Sequence, residues 1–389
     1  MLEAQDQRQL AKLLHEQGFV LVRADIEETE RGKKRFSITL PFLGGVSLSE
    51  KLMFARNLRT MVSSGISFPK ACSVLAQQAK SSKFKKALGT IQDEIAKGTS
   101  LSEALSQHPA IFSELFQSMV KAGEESGTLD ESLKVLAEQL KREHDLKSTI
   151  QGAMIYPAVI ITAMIGIGIL MLVMVVPQLA ETFASFDVSL PATTLFVIFL
   201  GTNLAKFWFV VPFVVVGLGF LFRFIQRTES GEKAIGSAFL KIPVLSQLVR
   251  KTNAAYTIRT LGSLLGSGVP IVRSLEITSG VVSNIYYKKA LIETAKEVGK
   301  GAKLSESLRR YQNIYPPLVI QMIEVGEETG KTSDVLSKLA EFYEEEIGNA
   351  TKNLASVIEP VLMLIIGGIV GFFAVSMIQP MYSMLQAIQ

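Results

Sequence analysis

One cysteine, Cys72, in 389 residues excludes an internal disulfide framework and any multi-thiolate metal site. Its helical surroundings make it a buried structural thiol, a small hydrophobe rather than a reagent. The three histidines, His15, His108 and His144, lie far apart, and none forms HExxH or a ligand pair four residues apart. No GxSxG elbow occurs, and no apolar segment carries an ionisable residue near its centre, as a proton relay, ion pathway or intramembrane protease would need. No catalytic, cofactor-binding or metal-binding residue is therefore expected, and the chain reads as a scaffold, not an enzyme. Net charge is only +4, with basic residues scattered among acidic ones, so the basic stripe of a nucleic-acid binder is missing.

Charge is also missing over long stretches. Hydrophobic residues make up 48% of the chain and mean hydropathy is +0.32. Ala158–Val176, Phe207–Phe222 and Val361–Gln389 hold no charged residue. Three transmembrane helices are predicted, at about Met154–Val176, Lys206–Phe224 and Ile358–Ile378, each near the ~20 residues that cross a ~30 Å hydrocarbon core. Lys206 can snorkel to the interface, and Pro212 is expected to kink the second span. Lys141, Arg142 and Lys147 precede the first span, and Arg223, Arg227, Lys233 and Lys241 follow the second. Between them Pro177–Ala205 has Glu181 and Asp187 but no Lys or Arg. Positive flanks resist translocation, which puts both large polar regions and the N-terminus in the cytoplasm and the short loop and C-terminus outside. Pro191–Asn203 is either an interfacial helix or part of a longer, tilted span. The opening MLEAQDQRQLAKLLHEQGF is amphipathic and lacks an apolar core, so it is not read as a signal peptide; internal helices are expected to direct insertion.

The chain repeats itself. At an offset of 203 residues Arg56 falls on Arg259 and Pro177 on Pro380 without a gap. KGTSLSEAL (97–105) lies on KGAKLSESL (300–308), AGEESG (122–127) on VGEETG (325–330), and Pro157 on Pro360. A repeat of constant register is a duplicated domain. Leu133, Leu136, Ala137 and Leu140, matched by Leu336, Leu339, Ala340 and Tyr343, make the apolar stripe of an amphipathic helix. Gly65 and Gly268 sit where a helix hairpin turns; Gly98 and Gly301 end helices. The fold class is thus an all-α membrane protein with two tandem cytoplasmic bundles of about six helices each and three transmembrane helices. Its parts are an N-terminal cytoplasmic segment 1–45, repeat 1 over 46–150, a span at 151–177 and an outer loop with interfacial helix at 178–205. A second span at 206–225, repeat 2 over 226–356, a third span at 357–380 and an outer tail 381–389 complete the chain. The two copies have parallel topology, unlike the inverted repeats of many transporters.

GEETGKT (326–332) imitates the end of a P-loop, but three residues instead of four separate its glycines, the flanks are helical and the partner copy reads GEESGTL. Gly123 and Gly326 are expected to be helix C-caps, with Gly127 and Gly330 as tight turns into the next helix. Glu124, Glu125, Glu327 and Glu328 are then turn residues near a helix N-terminus, where negative charge is favoured by ~0.3–1 kcal/mol, or docking points for a partner. Glu344–Glu346 reads as a solvated helix face, and Glu359 as an interfacial residue at the mouth of the third span. Gly166 and Gly168, and Gly367, Gly368 and Gly371, give the spans small-residue faces that suit packing within the chain, in an oligomer, or against another protein's helix.

Over roughly residues 46–380 the chain resembles the PilC and GspF family, inner-membrane platform proteins of type IV pilus assembly and type II secretion. The resemblance rests on the duplication, FARNLRTMVSSGISFPKACSVL, the stretches at Gly98 and Gly301, GEESG and GEETG, Tyr156-Pro157, and IPVLSQLVRKTNAAYTIRTLGSLLGSGVP. Family members begin with a short strand-rich segment before a stretch similar to EAQDQRQLAKLLHEQGFVLVRADI, and that beginning reads as trimmed here. The resemblance implies a multi-pass protein of the bacterial inner membrane. Its implied partners are a hexameric cytoplasmic assembly ATPase, pilin or pseudopilin subunits, other inner-membrane assembly proteins, lipid, and further copies of itself as dimer or trimer. A small-solute transporter or channel is the rival reading, suggested by the multi-span topology and opposed by the lack of intramembrane polar residues.

Overall fold

The computed structural model describes residues 45–184, 190–207, 209–226 and 228–387. The N-terminal segment with His15, and also Asp187 and Arg227, lie outside them. Among the described residues there are helices and no strand. Repeat 1 holds α1 (Leu48–Ser63), α2 (Phe68–Gln78), α3 (Ser82–Ala96), α4 (Leu101–Ser106), α5 (Glu114–Ser126) and α6 (Leu129–Leu170). A π-helical turn, Met171–Val175, leads into α7 (Val176–Ala184), followed by α8 (Ala192–Lys206), α9 (Val210–Gln226) and α10 (Glu229–Lys241). Repeat 2 holds α11 (Pro243–Gly266), α12 (Ile271–Val281), α13 (Ile285–Val298), α14 (Leu304–Arg309), α15 (Pro317–Thr329) and α16 (Thr332–Ala387).

Local chemistry sets these boundaries. Ser47 and Glu50 form a reciprocal capping box at the start of α1. Ser100 and Ser113 cap α4 and α5 through their side chains. The hairpin turns after α1 and α11 need a left-handed residue, and Gly65 and Gly268 supply it at φ +74° and +80°.

The two cores show how the copies diverged. In repeat 1 Phe54, Phe84, Phe112 and Phe116 stack with ring centroids 5.0–6.0 Å apart. Their counterparts in repeat 2 are Thr257, Tyr287, Tyr315 and Val319. Buried hydroxyls need partners: Thr257 Oγ1 and Tyr315 OH lie 3.1 Å apart, and the Tyr287 hydroxyl donates to the Ile314 carbonyl. Cys72 is fully buried in the first core, and burial pushes its thiol up to about 11, far from thiolate chemistry.

The bundles are joined by a polar seam. Buried Gln139 donates to Thr260 Oγ1 at 3.4 Å and accepts from Ser263 Oγ at 3.1 Å. Glu344 accepts from Arg259 Nε at 2.8 Å and lies 3.6 Å from Arg142, which also pairs with Glu341. Arg273 of α12 reaches Glu114 of α5. Leu264, Val269 and Ile277 of repeat 2 join the core of repeat 1, while Leu146 joins that of repeat 2. Glu344–Glu346 is therefore not a solvated face: Glu344 is held at this seam and Glu346 pairs with Lys251 at 2.7 Å, leaving Glu345 exposed.

Glu143 lies beside this seam, and burial raises its carboxyl pKa, opposed by the nearby Lys147 and Lys51. A carboxyl raised above its unfolded value stabilises the fold when protonated, so its contribution is present in acid and lost as pH rises through the folded pKa. Glu143→Gln is accordingly expected to raise the Tm of the solubilised protein at pH 8, with the difference shrinking toward pH 4. A lower Tm at pH 8 would overturn this account.

Two helices are long and apolar enough to cross a membrane, those over Leu129–Phe183 and Thr332–Pro380. Ile155, Val159, Ile167, Met363, Leu364 and Val370 stand exposed along them, a surface suited to lipid. Pro177 cannot bond its i−4 carbonyl, and the π-helical turn lies immediately before it, with the Val176 amide bonded to Met171. The predicted kink at Pro212 is absent: α8 ends at Lys206 and α9 starts at Val210, so Pro212 falls in the first turn of α9, where no intrahelical amide bond is lost. α8 packs against the C-terminal parts of both long apolar stretches, Val197 lying in one cluster with Val176 and Met377. Thr194 Oγ1 donates to the Ser376 carbonyl at 2.5 Å, and a Cβ on Gly201 would lie 2.6 Å from the Leu172 carbonyl oxygen. Among the described residues nothing lies within 4 Å of a Cβ placed on Gly166, Gly168, Gly367, Gly368 or Gly371.

Candidate functional site

The paired glycine and glutamate turns were the strongest candidates in the sequence, and their geometry is the same in both copies. α5 ends at Ser126 with Gly127 left-handed at φ +72°; α15 ends at Thr329 with Gly330 at φ +69°. Ser126 and Thr329 each turn a hydroxyl back to the carbonyl four residues earlier, at 2.7 Å. The P-loop imitation fails structurally, since Gly326–Thr329 is helix and Thr332 begins α16.

Gly123 and Gly326 lie within their helices and are not C-caps. They are points of close approach. A Cβ on Gly123 would sit 2.6 Å from Ser132 Oγ and 3.0 Å from the Leu129 Cα, and one on Gly326 would sit 2.9 Å from the Thr332 Cα. Only glycine lets the first turn of the following helix come back against its predecessor.

Glu124 and Glu327 do sit near a helix N-terminus, but that of the short preceding helix. Glu124 accepts from the amides of Leu101 at 2.7 Å and Ser102 at 2.9 Å. Glu327 accepts from Leu304 at 2.6 Å and Ser305 at 3.0 Å, and from the Ser305 hydroxyl. Each carboxylate thus satisfies two orphan amides of α4 or α14 from the far end of the next helix. These two glutamates are half-buried and occupied, while Glu125 and Glu328 remain exposed. Beside Glu125 opens a cleft of about 950 Å³ lined by Ser102, Glu103, Glu114, Ser118, Lys121 and, from repeat 2, Arg273. No cluster of three or more His, Cys, Asp or Glu suited to a metal occurs among the described residues.

The turns also start the longest helices. α6 begins two residues after Gly127 and runs 42 residues, and α16 begins two residues after Gly330 and runs 56. At 1.5 Å per residue these are continuous rods of about 63 and 84 Å. Pro157 and Pro360 lie inside them without ending them, Pro157 buried and Pro360 exposed.

Compared with known proteins, the chain matches the family described as type II secretion system (T2SS), protein F, twice, over residues 54–177 and 257–380. The two matches are offset by the same 203 residues as the internal repeat. The chain belongs to this family. It is 35% identical over 386 residues to the type IV pilus assembly protein PilC of Thermus thermophilus, covering 99% of this chain and 94% of that one. It is 34% identical over 352 residues to PilC of Myxococcus xanthus, covering 90% and 84%. The type II secretion system protein F of Aeromonas hydrophila is 30% identical over 382 residues, covering 98% and 97%. The resemblance read from the motifs holds, and so does the tandem all-helical fold. Sequence reasoning missed the seam roles of Gln139, Arg142, Arg259 and Glu344 and the close approach of Gly201 to Leu172 and Val176. The only signal for the seam was a glutamine beside the last residues of the apolar stripe of α6 and an arginine just after it.

Proposed function

We propose that the protein is a platform of a type IV pilus or type II secretion machine that couples a hexameric cytoplasmic ATPase to the insertion of pilin-like subunits, with ATP hydrolysis left to the partner. Membership of the T2SSF family and the names of its relatives support the platform role. The mechanical part is supported by one observation: each exposed acidic turn leads within four residues into a rod that is polar at one end and apolar at the other. A partner that displaces Glu125 or Glu328 acts at the root of such a rod, and a rigid helix transmits the displacement to its apolar end. The open glycine faces of the spans then offer close approach to a pilin helix. In this reading α9, with 17 residues, is the second of three spans and returns the chain to the cytoplasm, leaving the N-terminus inside and the C-terminus in the periplasm.

Photo-crosslinking in membranes from probes at Glu125 and Glu328 tests the docking. Capture of the assembly ATPase is expected from at least one turn. If both probes capture only lipid or the protein itself while the ATPase is present and the platform is folded, the docking turns lie elsewhere.

A further inference from the structure

The contact between the two repeats is heterologous. Repeat 1 contributes an edge of α5 and α6 that includes Gln139, Arg142 and Leu146, and repeat 2 contributes a different surface, built from α11, α12 and α16, that includes Tyr256, Arg259 and Glu344. Both repeats have the same fold at a constant offset, so each carries a version of both surfaces. The internal contact uses one of each, and one of each is left over.

The leftover pair is complementary. In repeat 2 the positions of Gln139, Arg142 and Leu146 are taken by Phe342, Glu345 and Asn349, all exposed, with Phe342 at 47%. In repeat 1 the positions of Tyr256, Arg259 and Glu344 are taken by Met53, Arg56 and Lys141, all exposed, with Met53 at 50%. The internal ion pair of Arg142 with Glu344 therefore reappears as Glu345 with Lys141, the sign reversed on both sides and the attraction kept. Phe342 replaces the buried Gln139, and a large exposed aromatic at the position of a contact residue marks an interface. Arg56 adds positive charge to the face that would receive Glu345.

We propose that this second contact forms between chains: the α15–α16 edge of repeat 2 docks, head to tail, on the α1–α6 face of repeat 1 in a second copy of the protein. The occupant is fixed by charge and by continuity with the contact already present within the chain. A heterologous contact closes into a ring when its rotation allows, so two chains would present four bundles and three chains six. The interface is independent of the ATPase docking and stands or falls separately.

Cys72 is buried and free, so introduced thiols can be read without background. Differently tagged Met53→Cys and Phe342→Cys chains, co-expressed and oxidised in native membranes, are expected to give a crosslink carrying both tags. On that background Lys141→Glu and Glu345→Lys, each placed in both chains, should lower its yield about fivefold or more, as repulsion replaces attraction. The two reversals together in both chains should restore it. Crosslinks only between like positions, no crosslink in folded and inserted protein, or a double reversal no better than the single ones would each overturn the proposal.

Discussion

Gly326→Val and Gly123→Val are each expected to destabilise the protein by about 1–3 kcal/mol, the usual range for forcing extra atoms into a close-packed contact. The nearest atom to a Cβ on Gly326 is backbone, the Thr332 Cα at 2.9 Å, which cannot rotate away. Ser132 is a side chain and could turn from Gly123, but the Leu129 Cα at 3.0 Å stands behind it. Relief requires α5 to part from α6, or α15 from α16, at the first turn of each rod. Urea unfolding of the solubilised variants should show a lower midpoint with an unchanged slope. Gly166→Val and Gly367→Val provide the contrast, because their Cβ atoms meet nothing, and their effect should appear in assembly rather than stability. Wild-type midpoints for both turn variants would show that the close approach does not matter.

How much was legible follows from which interactions are local. Duplication, helix boundaries and left-handed glycines are written in short-range patterns, and the paired positions 65 and 268, 98 and 301, and 127 and 330 confirm one another. Gly123 was misread because a glycine near a helix end in sequence looks the same whether it caps its own helix or admits the next one. Glu124 was read as part of a turn because its partners are 22 and 23 residues earlier, beyond any local pattern. The seam was invisible for the same reason: Gln139 and Ser263 are 124 residues apart. Glu344 looked solvated because a run of three acids usually is, and only the approach of Arg142 and Arg259 makes it otherwise.

The duplication has a mechanical consequence. Because α6 packs along α16 at the seam, the rods are coupled near their roots, and beyond their apolar stretches both pack against α8. On the proposed mechanism, a displacement entering at either turn passes a junction held by the Arg142, Arg259 and Glu344 ion network before it reaches the apolar end of the rod. Arg259 and Glu344 are largely buried, at 13% and 16% side-chain exposure, and removing one member of such a network leaves an unpaired charge behind.

Glu327→Ala is expected to cost about 2–3 kcal/mol and Glu124→Ala slightly less, since a hydrogen bond to a charged group is worth about 1.5–3 kcal/mol and water can reach part of each site. Glu327 holds two amides and a hydroxyl, whereas Glu124 holds two amides. Glu327→Gln, which keeps one acceptor oxygen, should recover part of the loss. Glu125→Ala and Glu328→Ala should stay within about 0.5 kcal/mol of wild type, as exposed substitutions usually do. This division separates structure from docking. A defect in fibre assembly with Glu124→Ala or Glu327→Ala would follow from a loosened α4 or α14 even if no partner touched the turn, so only the neighbouring glutamates report on contact. If Glu328→Ala destabilised the protein as much as Glu327→Ala, both acids would be structural and the partner would have to dock elsewhere on the bundle.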